Sequence, residues 1–138
     1  MNIVAWLERK RAYLDAWAEA RRILLVRLDS LGDVILMSPA FHAIKETAPQ
    51  ARLTLLTSPV GAQVEHLNPD LDEVLVYPSP MSDAWLEVPH TPEREWQLVE
   101  TLRQREFDGA IIFTSYHQSP LPMALLASAF LGFFFWAL

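Results

Sequence analysis

Residues 22–48, RILLVRLDSLGDVILMSPAFHAIKETA, constrain this chain more than any other stretch. Ile23-Leu24-Leu25-Val26 is an unbroken apolar run with β-branched residues at both ends, as suits a strand covered on both faces in a parallel sheet. Residues 28–33 interrupt that run. Beyond them Val34, Met37, Phe41, Ile44 and Ala48 recur at spacings of three and four, the stripe of a helix laid on a sheet. The unit is therefore strand, short turn, helix. The amides left without partners where such a helix begins make the turn a natural place to hold an anion or to present a polar side chain to a ligand. Pro39 falls inside the stripe. Because Val34 already belongs to it, the expected helix starts at Gly32 and is kinked where Pro39 loses its bond to Ile35.

The remainder repeats the unit. Residues 52–57 read as a second strand ended by Ser58-Pro59, residues 60–67 as a short helix stopped by Asn68-Pro69-Asp70, and residues 73–77 as a third strand closed by Pro78. Residues 79–91 have no period and read as a loop. Thr91-Pro92 is a cap followed by proline at the first helical position, opening a helix to about Arg105 with Trp96, Val99 and Leu102 inward. Residues 109–113 are the fourth strand and residues 120–131 a last helix. Strand alternating with helix in this way predicts an α/β domain, a Rossmann-like doubly wound parallel sheet of four or five strands. In the usual order 3-2-1-4 the ends of strands one and four meet at the switch point where ligands bind. The turn at residues 29–33 and the segment 114–119 should then line one cleft, and both are rich in hydrogen-bonding side chains.

Composition narrows the function. At 138 residues the chain is one domain, long enough to bury roughly two thirds of its unfolded surface. A net charge of −6 argues against a general nucleic-acid binder. The charge is uneven, with six Lys/Arg against three Asp/Glu in residues 1–27 and five against fourteen in the rest. There is no cysteine, hence no disulfide framework, thiolate metal site or thiol nucleophile, which suits a reducing cytoplasm. Glu8, Arg9, Lys10 and Arg11 break up any signal-peptide core. Residues 2–22 instead read as an amphipathic helix with Ile3, Leu7, Leu14 and Trp17 along one side and Trp6 and Tyr13 beside them. Packing of that face on the domain is the plain expectation; rest on a membrane surface is the alternative. Residues 1–21 thus form an N-terminal helix, 22–131 the domain, and 132–138 an apolar tail that looks foreign to it. The nineteen uncharged residues from Pro120 to Leu138 fall just short of a membrane span, include Pro122 and lack a basic stop signal.

Among candidate chemical groups Asp33 stands first. At a helix start an Asp is a favoured cap, and the helix dipole favours its charge by roughly 0.3–1 kcal/mol. The functional reading is a general base, because a carboxylate in a cleft can take the proton of an attacking hydroxyl. Gly32 beside it would let a substrate approach the backbone. Ser30 belongs to the same turn, and Asp29 either shares the role or pairs with Arg27. Across the cleft stand Ser115, His117 and Gln118 as substrate contacts, while His42, His66 and His90 read as surface histidines. The turn has one glycine where a dinucleotide fingerprint needs three, and neither a phosphate-loop nor a zinc-helix pattern occurs. No cofactor and no metal are expected.

The run RILLVRLDSLGDVILMSPAFHAIKETAPQARLTLLTSP, followed by GAQVEHLNPDLDEVLVY, resembles the start of glycosyltransferase family 9, the ADP-heptose:lipopolysaccharide heptosyltransferases. The shared features are Gly32-Asp33 after the opening strand, Pro39-Ala40 in the helix, Pro49 before the second strand and Asn68-Pro69 before the third. The likeness covers about residues 22–127. It implies the N-terminal half of a GT-B fold, in a two-domain, metal-independent inverting transferase. One domain of such an enzyme holds the lipopolysaccharide inner-core acceptor; the other holds the nucleotide sugar. By the resemblance Asp33 is the base that deprotonates the acceptor hydroxyl, Gly32 borders its pocket, and residues 115–119 face the acceptor. The resemblance also implies work at the cytoplasmic face of the inner membrane. A family member would continue into a nucleotide-sugar domain, where ADP-heptose would bind, so the expectation is a truncated, inactive form. A non-catalytic α/β module, binding a partner or membrane through its aromatic helix and apolar tail, is the other reading.

Overall fold

A computed structural model of the chain describes residues 2–79, 91–115, 119, 121–128 and 135–137, with only the backbone described at Trp6, Tyr13 and residues 135–137. The elements in order are α1 (Ile3–Glu19), β1 (Arg22–Arg27), α2 (Leu31–Leu36), α3 (Ser38–Thr47), β2 (Arg52–Thr57), a 3₁₀ helix (Gly61–His66), β3 (Glu73–Val76), α4 (Pro92–Arg103), β4 (Gly109–Phe113), α5 (Leu121–Ser128) and β5 (Phe135–Ala137). The strands form one sheet in the order β3-β2-β1-β4-β5, every neighbouring pair parallel. This is the doubly wound α/β architecture expected, with strands one and four adjacent.

Alternation along the strands sorts the core into two layers, because successive side chains point to opposite faces. Leu24, Val26, Leu56, Ala110 and Ile112 meet Leu98 and Leu102 of α4 and Met123 and Ala127 of α5. Ile23, Leu25, Leu53 and Leu55 face the other way, onto Val34 of α2 and Phe41 of α3. Phe41 has no exposed surface and meets Phe113 edge-on, with ring centroids 5.7 Å apart. Both faces are covered, and for that reason the interior of β1, Ile23-Leu24-Leu25-Val26, is apolar without a break.

Four expectations need correction. The helix over Pro39 is broken, not kinked: Met37 ends α2, and Pro39 sits in the first turn of α3, where its missing N–H costs no helical bond. Trp96 is 70% exposed, and Leu98 joins Val99 and Leu102 on the buried side of α4. Three of the four apolar residues expected to seat α1, namely Ile3, Leu7 and Leu14, are more than half exposed, leaving Trp17 as the packed one. The tail is not foreign to the sheet, since Phe135–Ala137 pairs with Ile111, Ile112 and Phe113. Among the described residues no helix is long and apolar enough to cross a membrane. Most of the expected loop at residues 79–91 lies outside the described residues.

Candidate active site

The carboxyl end of β1 delivers Arg27 into the fork between β1 and β4. Its side chain is 5% exposed, and such a cation needs partners. It has three. Nε lies 2.6 Å from Asp29 Oδ2, an ion pair by charge and distance rather than an aligned hydrogen bond. Nη2 donates to Ser115 Oγ at 2.7 Å and lies 3.6 Å from Asp33 Oδ1. One guanidinium thus ties the turn after β1 to the segment after β4, as the strand order leads one to expect.

The turn itself is built by short polar side chains. Ser30, extended at φ −63° and ψ 161°, is the N-cap of α2. Its Oγ accepts from the Asp33 amide at 3.3 Å and donates to Asp33 Oδ2 at 2.7 Å. The cap is therefore Ser30, and Asp33 stands at the third helical position, a variant of the reciprocal capping box. From below, Ser58 Oγ donates to the Asp29 carbonyl at 2.7 Å and accepts from the Gly61 amide at 3.0 Å. Gly61 is needed for closeness, because a Cβ there would collide with Thr57 Oγ1 and lie 3.1 Å from Val34 Cγ2 on α2. The 3₁₀ helix can approach the base of α2 only without a side chain at that point.

Asp33 is the more exposed of the two aspartates. Its side chain is 40% accessible, against 10% for Asp29. One arginine faces two aspartates, so the cluster keeps one net negative charge. A carboxylate so placed can accept the proton of a neutral hydroxyl, whereas a phosphate would find no spare cation among these residues. Gly32 is exposed, and among the described residues only Ser30 Oγ lies within 4 Å of where its Cβ would be.

Of the residues singled out from the sequence, Ser30, Gly32, Asp33 and Ser115 come together here. His117 and Gln118 lie outside the described residues. Asp29 serves as the buried partner of Arg27. His42 is a surface residue, 3.1 Å from Asp70 Oδ2 and 3.6 Å from Glu46. Two residues were missed: Arg27 as the organiser and Ser58 as the brace. An arginine ending an apolar strand with an aspartate two residues on was the available signal for the first. Among the described residues no group of three His, Asp or Glu is placed to hold a metal ion.

A parallel α/β sheet with a carboxylate held at its switch point defines a class, and comparison with known proteins narrows it. The chain is 32% identical over 94 residues to a protein of Haemophilus influenzae named "Putative glycosyltransferase", the stretch covering 68% of this chain and 25% of that protein. In fold it is similar to the crystal structure of the glycosyl transferase family 9 from Veillonella parvula, with a TM-score of 0.64 at 22% identity, over 83% of this chain and 31% of that one. The chain therefore spans about a quarter to a third of the length of these two proteins. No protein-family model matches it. In sequence it is thus similar to a putative glycosyltransferase, and in fold to a glycosyl transferase of family 9.

Proposed function

We propose that this chain is the acceptor-binding half of an inverting glycosyltransferase, and that the sugar moved is heptose, from ADP-heptose to the lipopolysaccharide inner core. The observation that carries the reading is the Asp33 carboxylate, 40% exposed at the fork of β1 and β4 and held from two sides by Ser30 and Arg27. In the transfer, Asp33 takes the proton of an acceptor hydroxyl as that oxygen forms its bond to the anomeric carbon and the bond to ADP breaks. Ser30 and Arg27 position the carboxylate, and Ser115 marks the opposite wall. The likeness to a putative glycosyltransferase supports the reaction class. Heptose and lipopolysaccharide are the finer part of the proposal and rest on the motif around Gly32-Asp33.

Leaving-group stabilisation and donor positioning supply most of the rate in such reactions. The cluster at Asp33 has no spare cation for a diphosphate, so the 138-residue chain alone binds acceptor without turning it over. The test is titration of the chain with a deacylated inner-core oligosaccharide while backbone amide resonances are followed. Shifts centred on residues 29–33 and Ser115 support the reading; saturation without change there, or no binding, overturns it. Turnover of ADP-heptose by the chain alone would contradict the division of labour. Asp33→Asn should leave acceptor binding within a few-fold and, in a longer form that carries a donor site, lower the rate by about 10²–10⁴.

A further inference from the structure

We propose that the cleft at the amino-terminal edge of the sheet binds a small molecule through a phosphate monoester group, held between Arg22 and Arg52. These residues open β1 and β2 and are partners in register, so their Cα atoms stand about 4.8 Å apart. Alternation puts both side chains on the face that α4 covers, the face of Leu24 and Leu56. There they line an open cleft of about 360 Å³ together with Glu73, Gln104, Arg105 and Phe107. That volume lies in the range of small-molecule sites. Five residues of β1 separate Arg22 from Arg27, about 17 Å along the strand, so the cleft is distinct from the turn at Asp33.

Existing partners decide which cations are available. Glu73 accepts from Arg105 Nε at 3.0 Å and Nη2 at 2.8 Å, and from Thr54 Oγ1 at 3.3 Å, so both of its oxygens are taken. Arg105 Nη1 donates to the Thr101 carbonyl, which leaves that guanidinium fully engaged. Arg22 uses only Nη1, on Glu106 and the Arg105 carbonyl, in a pair whose side chains are 50% and 79% exposed. Arg52 has no side-chain hydrogen bond and no acid within ion-pair distance among the described residues. It attracts Asp72 and Glu73 only from farther off, and each already holds a closer cation, Lys45 and Arg105. Asp108 faces the amides of Arg21 and Arg22, and the exposed Arg21 offsets its charge. Setting Glu73 and Glu106 against Arg22, Arg52 and Arg105 leaves one positive charge, and it belongs to the free guanidinium. Arg52 is exposed and belongs to neither core cluster, so the fold gains little from placing it beside a second cation that repels it. Phosphate suits the pair better than carboxylate. One guanidinium fork fills the two oxygens of a carboxylate, whereas a phosphate monoester has three terminal oxygens to share between two forks. Arg22 can turn to it readily, because an exposed ion pair such as that with Glu106 contributes little.

The inference is independent of the reading of Asp33. Its test follows the backbone amide resonances and the Tm of the chain during titration with glucose 6-phosphate, inorganic phosphate, acetate and glucose. Saturable shifts around Arg22, Arg52 and residues 104–107, with a rise in Tm, are expected from the two phosphates and not from glucose. Arg52→Gln should weaken phosphate binding about tenfold or more, while the ligand-free Tm stays level or rises because a repulsion has been removed. Arg52→Lys, which keeps the charge and loses the fork, should bind several-fold more weakly than the wild type. Asp33→Asn should bind phosphate as the wild type does. Absence of saturation overturns the proposal, as do shifts confined to residues 29–33, or acetate or glucose binding as tightly as phosphate. So does either Arg52 variant that binds like the wild type.

Discussion

At the amino-terminal edge of the sheet, charged side chains work in pairs near the surface, whereas at the carboxyl edge one buried arginine serves three partners. The first edge holds Arg105 against Glu73 at 2.8 Å, Lys45 against Asp72 at 2.7 Å and Arg22 against Glu106 at 2.9 Å. Around Arg22, Arg52 and Arg105 lies an open cleft of about 360 Å³. Each of those pairs joins segments distant in the chain and keeps at least a quarter of both side chains accessible, so water competes with it. The second edge keeps Arg27 out of water and leaves the carboxylate of Asp33 partly accessible. The two edges thus differ in exposure: ion pairs open to water at one, a dry cation beside a partly exposed carboxylate at the other. Loose pairs hold strands and helices in place, and a dry pair fixes the position of one carboxylate.

If the edges differ in this way, cutting one arginine from each should cost unequal amounts. Arg27→Ala leaves Asp29 buried without its cation and should destabilise the fold by about 3–5 kcal/mol. Arg105→Ala should cost no more than about 1 kcal/mol. Urea unfolding of both variants measures the difference, and equal costs would break the comparison. Next in size is the brace beneath the carboxyl edge. Gly61→Ala drives a methyl group into Thr57 and should cost about 1–3 kcal/mol, read as a lowered urea midpoint at unchanged slope.

The amino-terminal edge should also show itself in acid. Hydrogen bonds from Arg105 hold Glu73 below its ordinary value of 4.5, with partial burial opposing them. For Asp72 partial burial pushes upward, but the bonds from Lys45 and the Leu53 amide outweigh it and leave the carboxyl below 3.8. A carboxyl depressed by folding contributes stability that is fully present above its unfolded value and is lost as pH falls through the folded one. Stability should therefore decline below about pH 4.5, and Glu73→Gln should flatten that decline by no more than about 1 kcal/mol. A pH-independent difference between wild type and Glu73→Gln would mean that the Arg105 contact contributes through packing. The smallest effect belongs to Asp33. Asp33→Asn should cost only about 0.3–1 kcal/mol, since Ser30 remains as the cap. A loss several times larger would mean that the exposed carboxylate serves the fold more than a ligand.

Most of the fold was legible because its signals are local. β2 and β4 were placed to the residue, the first as a run ended by Ser58-Pro59. The break at Met37 was missed because the apolar stripe runs on across it: α2 and α3 pack on the same face of the sheet although they are separate helices. Trp96 was misread for a similar reason, since its spacing to Val99 and Leu102 fits the stripe, yet Leu98 takes the buried place. β5 had no boundary of its own inside a uniformly apolar tail, and its existence depends on the free edge of β4. At the site, strand order alone brought residues 29–33 toward Ser115. The hydrogen bond from Arg27 that completes the arrangement spans 88 positions, beyond any local pattern. Tyr77 shows the same limit: burial and a 2.6 Å bond to Glu95 raise its hydroxyl well above the ordinary value of 10.0, and nothing near residue 77 announces that partner.

The dry contact between Arg27 and Asp29 also bears on how this turn can drift over generations. Losing either charge alone strands the other, while exchanging both for well-packed apolar residues can be nearly neutral for stability. The two positions should therefore be inherited together or abandoned together. Any descendant that abandons them would keep its fold and surrender the clamp on Asp33.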